Sequence, residues 1–134
     1  MENTTIKVTV LSDGKLTTKT IHNTLHALQQ IVGGYIEIPY IGDTFTENGI
    51  DMIINDEGKF IEGLKPEIAF VDSTNGKIMD IVYGNCIFAS HDDEGNTISL
   101  NEAQTEIIKN ELNTVIELIN AKTFETFEVR AVVI

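Results

Sequence analysis

Residues 29–37 constrain the fold most strongly, because two consecutive glycines there separate a helical pattern from an extended one. Over residues 24–32 the apolar side chains recur at the spacing of one helical face. Asn23 or Thr24 can cap the start of this helix, since a short side-chain oxygen accepts a hydrogen bond from a first-turn amide. Gly33 suits the left-handed position after a helix, where a Cβ atom is unfavourable. The stretch therefore predicts a short helix that stops at the glycines.

The residues after the glycines predict a strand. Gly34 lets the backbone turn into an extended run, in which Ile36, Ile38 and Tyr40 alternate with the residues between them. Pro39 has no N–H group to donate to a ladder, so this strand should end there or lie at a sheet edge. We therefore predict a helix–glycine–strand unit at the centre of the fold.

A phosphate-binding loop is the functional alternative for Gly33 and Gly34. Such loops lead from a strand into a helix, and the amino end of that helix binds the anion. In this chain the helix comes first and the strand second. The order of the elements therefore favours a helix end over a phosphate site.

Short alternating patterns separated by turn signals predict a mostly antiparallel sheet from the rest of the chain. The segment around Gly84-Asn85 holds either one strand or two, with a bulge or a bend between them. The strands are expected at residues 6–10, 16–21, 50–55, 68–71, 78–88 and 127–133.

Two connecting segments have less regular patterns. Residues 41–49 predict a loop, in which Phe45 either packs on the core or serves as a contact residue. Asp56-Glu57-Gly58 predicts a hairpin turn with Gly58 at positive φ, followed by a brief returning strand over 59–63.

A second helix is predicted over residues 100–120. Ser99 and Glu102 have the spacing of a capping box at its start. An apolar stripe runs along the whole segment, and it can serve either as a dimer seam or as the face that covers the chain's own sheet. The expected fold is thus a single α+β domain over 1–134, with a short helix at 24–32 and a long one at 100–120.

The formal net charge of −12 is the unusual bulk property of the chain. Such a field repels nucleic-acid backbones, so direct DNA or RNA binding is not expected. The acidic residues either keep the protein soluble or imitate DNA towards a basic protein. Cys86 is the only cysteine, which excludes an internal disulfide and fits a reducing cytoplasm. We expect no membrane-spanning segment and no secretory signal.

Candidate metal and catalytic groups are few. His22 and His26 are four residues apart, but no third ligand is evident near them, so no metal site is expected. His91 lies beside Asp92 and Asp93, which is the basis for the alternative of a small hydrolase. The segment around Asp92 predicts a solvated turn instead of a calcium loop. We predict no catalytic residues and no cofactor, and hence not an enzyme.

Residues 28–37 resemble the hallmark of an uncharacterised domain family from bacteriophages and conjugative elements of Gram-positive bacteria. The Val-Gly-Gly-Tyr-Ile-Glu segment within them is its most specific part. Three further similar pieces are the strand at 6–8, Asn55-Asp56-Glu57-Gly58-Lys59, and the segment that runs from Tyr83-Gly84-Asn85 through Asp92-Asp93-Glu94-Gly95 to Ser99-Leu100. The resemblance covers residues 5–104, and residues 105–134 would be a carboxyl-terminal addition.

This resemblance implies a non-enzymatic accessory protein of a phage or mobile element, acting against host defence in the host cytoplasm. Its expected partner is either a small nucleotide-like signal, which it would sequester, or a host defence protein. A homo-oligomer stays open, as does an acidic DNA mimic with an antirestriction role. For a nucleotide-like ligand, the stacking candidates are Tyr35 and Tyr83, and the phosphate-binding candidates are Lys59, Lys65 and Arg130.

Overall fold

Two β-sheets and short helices build the fold, and the computed structural model describes residues 4–134. The helices are α1 (Leu25–Val32), α2 (Asp43–Glu47) and α3 (Glu102–Glu111), and a single 3-10 turn spans Gly58–Phe60. The strands are β1 (Thr5–Ser12), β2 (Lys15–His22), β3 (Ile36–Glu37), β4 (Ile50–Asn55), β5 (Pro66–Val71), β6 (Ile78–Tyr83), β7 (Cys86–His91), β8 (Thr97–Ile98), β9 (Val115–Ile119) and β10 (Thr126–Val133).

The two sheets confirm the expected α+β class with mostly antiparallel strands. The first sheet has the order β2-β1-β7-β4-β3, and β8 pairs with β7 beside this path. The second has the order β6-β5-β10-β9, in which the β5–β10 pair is parallel. The predicted 78–88 segment divides at Gly84, with φ of 85°, into two strands that belong to different sheets.

The main core lies between the two sheets. Phe45 of α2 is 1% exposed and stacks on Phe88 of β7, with 6.0 Å between ring centroids. Phe45 therefore packs on the core, which confirms the first of the two alternatives that the sequence left open for it. Ile108 and Leu112 bury the apolar face of α3 in the same core, so this face packs on the chain's own sheets. A second cluster forms where α1 covers the other face of the first sheet.

The predicted long helix over 100–120 is wrong beyond Glu111. Residues 115–119 form β9 and pair with β10 in an uninterrupted register. Their apolar residues fit a helical stripe and a strand equally well, but they are rich in β-branched side chains, which favour strands. The neighbouring strand β10 decides between the two by supplying hydrogen-bond partners that a sequence pattern does not reveal.

The predicted capping box at Ser99 and Glu102 is also wrong by two residues. Asn101 caps α3 by accepting a hydrogen bond from the Gln104 amide at 2.8 Å, and Gln104 accepts in return from the Asn101 amide at 2.9 Å. The Ser99 hydroxyl instead accepts from the Lys7 amide of β1 at 2.9 Å. A long-range contact thus takes the side chain that local spacing had assigned to the helix.

Four further predictions needed correction. The 41–49 loop contains α2, and the strand predicted from Ile36 to Tyr40 has only two residues, although it does end before Pro39 at the sheet edge. No strand follows at 59–63, because the chain takes the 3-10 turn there. Gly58 is not at positive φ; it is required because a Cβ atom would approach the Tyr83 carbonyl oxygen to 2.8 Å.

A buried carboxylate joins the two sheets. Glu67 of β5 is 5% exposed and lies at a bulge between β5 and β6. Its two oxygens accept hydrogen bonds from the Asp13 amide at 3.0 Å and the Gly14 amide at 2.9 Å, in the β1–β2 turn. Arg130 of β10 donates to the Gly14 carbonyl at 2.8 Å. The second sheet therefore holds this turn of the first sheet from two sides.

Burial raises the pKa of Glu67 above its ordinary value, and this makes a pH prediction. A carboxyl group whose pKa is raised in the folded state binds its proton more tightly in the folded protein than in the unfolded chain. Its contribution to stability therefore rises as the pH falls. We expect wild type to gain stability relative to Glu67→Gln between pH 7 and about pH 4.5, the ordinary value. Urea unfolding of both proteins at several pH values measures this difference. A difference that stays constant with pH would contradict it.

Candidate functional site

The paired glycines end α1 and hold no free anion site. Gly33 has φ of 83°, and Thr24 caps the other end of α1 through a 3.1 Å hydrogen bond from the Ala27 amide. The Gly33 and Gly34 amides both donate to the Gln29 carbonyl, at 2.8 and 3.1 Å. Because these amides are already bonded, the phosphate-binding alternative is wrong and the helix-end interpretation is confirmed.

Gly34 has a second role, which is to make room for Asn55. A Cβ atom on Gly34 would lie 2.9 Å from Asn55 Nδ2. That nitrogen donates to the Val32 carbonyl at 3.1 Å, while Asn55 Oδ1 accepts from the Glu57 amide at 2.8 Å. Asn55 therefore ties the end of the helix to the end of β4 and to the turn that follows it.

Three of the segments that carry the family resemblance meet at this place. Asn85, in the connection between β6 and β7, donates to the Ile31 carbonyl at 2.9 Å, next to the bond that Asn55 makes. Gly58 packs directly against the Tyr83 carbonyl. Residues 31–34, 55–58 and 83–85, which are distant in sequence, thus form one contiguous structure.

An open cavity of about 660 Å³ borders this structure. Its walls are the end of β4, the 3-10 turn, the edge strand β6 and the segment around Tyr40. Buried Phe70 and Val82 line its apolar part, and the aromatic residues Tyr40, Phe60 and Tyr83 also line it. The volume is within the roughly 300–1,000 Å³ that is typical of small-molecule sites.

The ionisable groups of the cavity are mostly acidic. Glu37, Asp56 and Asp80 line it together with one cation, Lys59, which leaves a formal excess of two negative charges. The Lys59 ammonium is paired with Asp80, and Asp80 also accepts from the Ile81 amide at 2.9 Å. A ligand with several phosphates would be repelled here, whereas a neutral or cationic ligand would not.

Tyr40 adds a polar group to the cavity wall. Its hydroxyl donates a hydrogen bond to the Asp43 carboxylate, and this bond raises the pKa of Tyr40 above its ordinary value. The phenol therefore stays neutral at physiological pH. Tyr40 is 65% exposed, so it offers aromatic surface beside the cavity.

The structure brings together two of the five predicted ligand-binding residues, Lys59 and Tyr83. Tyr35 is 74% exposed and does not line this cavity. Lys65 pairs with Asp13 at 3.1 Å on the surface. Arg130 donates to the Leu112 and Gly14 carbonyls, which gives its guanidinium a structural role.

Sequence reasoning missed the other aromatic and acidic groups of the cavity. Phe60, at 87% exposure, gave one available signal, because a large apolar residue stands in a segment rich in glycine and charge. Asp80 gave none, since its role depends on the register of β6 beside the 3-10 turn. Neither residue is distinguished by a motif.

The histidines lie apart in the fold. His22 ends β2, His26 is on α1, and His91 ends β7, where its Nδ1 lies 2.9 Å from Asp51 Oδ2. Within residues 4–134, three or more histidine, cysteine or acidic side chains do not cluster in a way that could hold a metal ion. Asp92 accepts hydrogen bonds from the Glu94 and Asn96 amides, which confirms the predicted turn.

Cys86 is fully buried in the core, as expected for a small structural side chain. Burial raises the pKa of its thiol, and the nearby Glu67 carboxylate raises it further. The thiolate that a nucleophile requires is therefore disfavoured.

No helix in the described part of the chain is long and apolar enough to cross a bilayer.

The fold and the cavity define a small two-sheet α+β domain with an open pocket beside its glycine turn. A family model described as "Domain of unknown function (DUF3846)" matches residues 6–113, and the chain belongs to this family. Neither the curated proteins nor the solved structures contain a significant match. The matched region ends after α3, whereas β9 and β10 follow it and complete the second sheet.

Proposed function

We propose that this protein is a non-enzymatic binding protein that sequesters a small, base-bearing molecule in the cavity beside the glycine turn. The observation that carries the proposal is the set of three aromatic residues, Tyr40, Phe60 and Tyr83, that line one open cavity of about 660 Å³. Every nucleobase has a flat π-face, and stacking of one base on an aromatic side chain contributes roughly 1–3 kcal/mol.

The charges of the cavity define the ligand more closely. With three carboxylates and one paired lysine, it favours a nucleoside, or a nucleotide with a single phosphate, over a polyphosphate. Lys59 is the one cation that lines it, and its pairing with Asp80 weakens its attraction for a phosphate. The Tyr40 oxygen and Asp80 Oδ2 keep free acceptor capacity for hydrogen bonds from a base or a ribose.

The biological setting that we propose is a phage or mobile element of Gram-positive bacteria. Support comes from the resemblance of residues 28–37 to proteins of such elements. Removal of a base-bearing signal in the host cytoplasm would blunt a defence response without any chemical step. A protein that acts in this way must bind its ligand tightly and release it unchanged.

Calorimetry with a panel of nucleosides, nucleoside monophosphates and cyclic nucleotides tests the proposal. We expect Phe60→Ala to weaken the binding of the best ligand about tenfold or more, because it removes a stacking surface. Tyr35→Ala is the matched control, since it removes another highly exposed aromatic ring, at a residue outside the cavity, and it should change Kd by less than about twofold. Equal losses in the two variants would contradict the assignment of the site.

Asp80→Asn tests the role of charge in the same cavity. Freeing Lys59 from its partner should improve binding of a monophosphate relative to its nucleoside by about tenfold, the value of one charge-assisted hydrogen bond. Chromatography of the mixtures after incubation must return the ligand unchanged, and turnover would instead support the hydrolase alternative. The proposal fails if no compound in the panel binds at millimolar concentration.

A further inference from the structure

Strand β9 forms an open edge of the second sheet. In the part of the chain that the structure describes, β9 pairs with β10 alone. Its five residues, Val115–Ile119, include no lysine, proline or glycine, and their register with β10 has no bulge. A regular edge of this kind, with four apolar residues and one glutamate, is a template for pairing with another strand.

The hydrogen-bond pattern shows which backbone groups are open. The Ala131 amide donates to the Thr114 carbonyl at 2.9 Å, and the Asn120 amide donates to the Glu125 carbonyl at 2.8 Å. Hydrogen-bonded pairs alternate along an antiparallel ladder. The backbone N–H and C=O groups of the even-numbered residues in this segment therefore point towards β10. The N–H and C=O groups that point away from β10 are those of Val115, Glu117 and Ile119.

The other sheet edges carry protective features that β9 lacks. On β6, the Asp80 carboxylate already accepts the Ile81 amide, and a register shift interrupts the pairing with β5. On β2, the edge carries Lys15 and Lys19. Strand β3 has only two residues, and Pro39 follows soon after it. These are the devices that normally prevent edge-to-edge pairing.

The side chains of β9 specify the chemistry of a partner. Glu117 lies directly opposite Glu128 of β10, and like charges in that position destabilise a hairpin. Within residues 4–134 neither carboxylate forms an ion pair, and the guanidinium of Arg130 is bonded to backbone carbonyls. Val115 and Ile119, on the same face as Glu117, are 50% and 65% exposed. The face thus presents two unpaired carboxylates between two apolar side chains.

We propose that β9 is a docking site for an extended segment of another protein, which adds as a fifth strand and places a lysine or arginine against Glu117 and Glu128. Strand addition supplies main-chain hydrogen bonds, and the alternate side chains supply specificity. A second copy of this chain fits less well, because it would bring further carboxylates to the edge and a net charge of −12. The partner is therefore a basic protein with an exposed extended segment.

Nuclear magnetic resonance of the full-length, nitrogen-15-labelled protein tests this proposal. The probe is a nine-residue peptide of alternating threonine and valine with one central lysine. We expect amide shifts at Val115, Glu117 and Ile119, and at least fivefold weaker binding when glutamate replaces the lysine of the peptide. N-methylation of the peptide amides on one edge should abolish binding, whereas N-methylation on the other edge should preserve it.

Two variants of the protein complete the test. Glu117→Pro removes one outward N–H group and should abolish peptide binding, and an unchanged spectrum elsewhere shows that the variant is folded. Glu117→Gln should weaken binding about threefold or more, whereas Glu62→Gln, a surface acid outside β9, should not. No shifts at millimolar peptide, or shifts insensitive to N-methylation, would overturn the proposal. Concentration-dependent β9 shifts with dimers in sedimentation analysis would assign the edge to a second copy and overturn it also.

Discussion

Replacement of Phe45 by alanine should lower the free energy of unfolding by about 3–5 kcal/mol, the range for large buried aromatic side chains. The ring is 1% exposed and stacks on Phe88 in the core between the sheets. Helix α2 has only five residues, which is too short for a helix to be stable alone, so its position depends on this packing. Thermal unfolding should show a Tm lower by roughly 10–20 °C.

Phe60→Ala is the control for Phe45→Ala. It deletes the same side chain at a position that is 87% exposed, so it should change the free energy of unfolding by less than about 0.5 kcal/mol. The comparison separates burial from residue type. If the two variants have the same Tm, the core between the sheets is not packed as described. The cavity variant of the proposed function is thus also the stability control.

Asn55→Ala should lower the free energy of unfolding by about 2–4 kcal/mol, because it leaves two backbone groups without hydrogen-bond partners. Asn55 is 5% exposed. Its side-chain amide donates a hydrogen bond to the Val32 carbonyl and accepts one from the Glu57 backbone amide. The loss frees the end of α1 and the turn that carries Lys59. We therefore expect ligand binding in the cavity to be lost together with stability, as measured by urea unfolding and calorimetry.

Two further variants define what Asn55 contributes. Asn55→Asp keeps the size of the side chain but replaces the donor to Val32 by an oxygen, so it should be at least as destabilising as alanine. Asn85→Ala removes a single bond, to the Ile31 carbonyl, and should cost about 1 kcal/mol. If Asn55→Asp is as stable as wild type, the donated bond does not hold the helix end.

Local signals predicted the parts of the fold that local interactions decide. The cap at Thr24, the left-handed Gly33 and the end of the strand before Pro39 each depend on neighbouring backbone groups. Most strands were found for the same reason, since alternation and turn residues record which face is covered. The helix at 100–120 failed because its apolar residues satisfy two periods at once.

The candidate site was only half predictable. Lys59 and Tyr83 reach one cavity because β6 lies beside the 3-10 turn, and no spacing in the sequence specifies that neighbourhood. Arg130 was expected to hold a phosphate, but it is near the β1–β2 turn, more than a hundred residues away in sequence, and donates to its carbonyl. Long charged side chains take whatever acceptor the fold brings to them.

The amino-acid sequence alone determined the class of the fold, the positions of its turns and the architectural role of the two glycines, since these follow from backbone sterics and from hydrogen bonds between near neighbours. Only the tertiary structure decided that residues 115–119 are a strand, that Asn55 and Gly34 fit together, and which side chains share the cavity. These outcomes depend on contacts between segments far apart in the chain, where packing and hydrogen-bond partners are chosen by the whole fold.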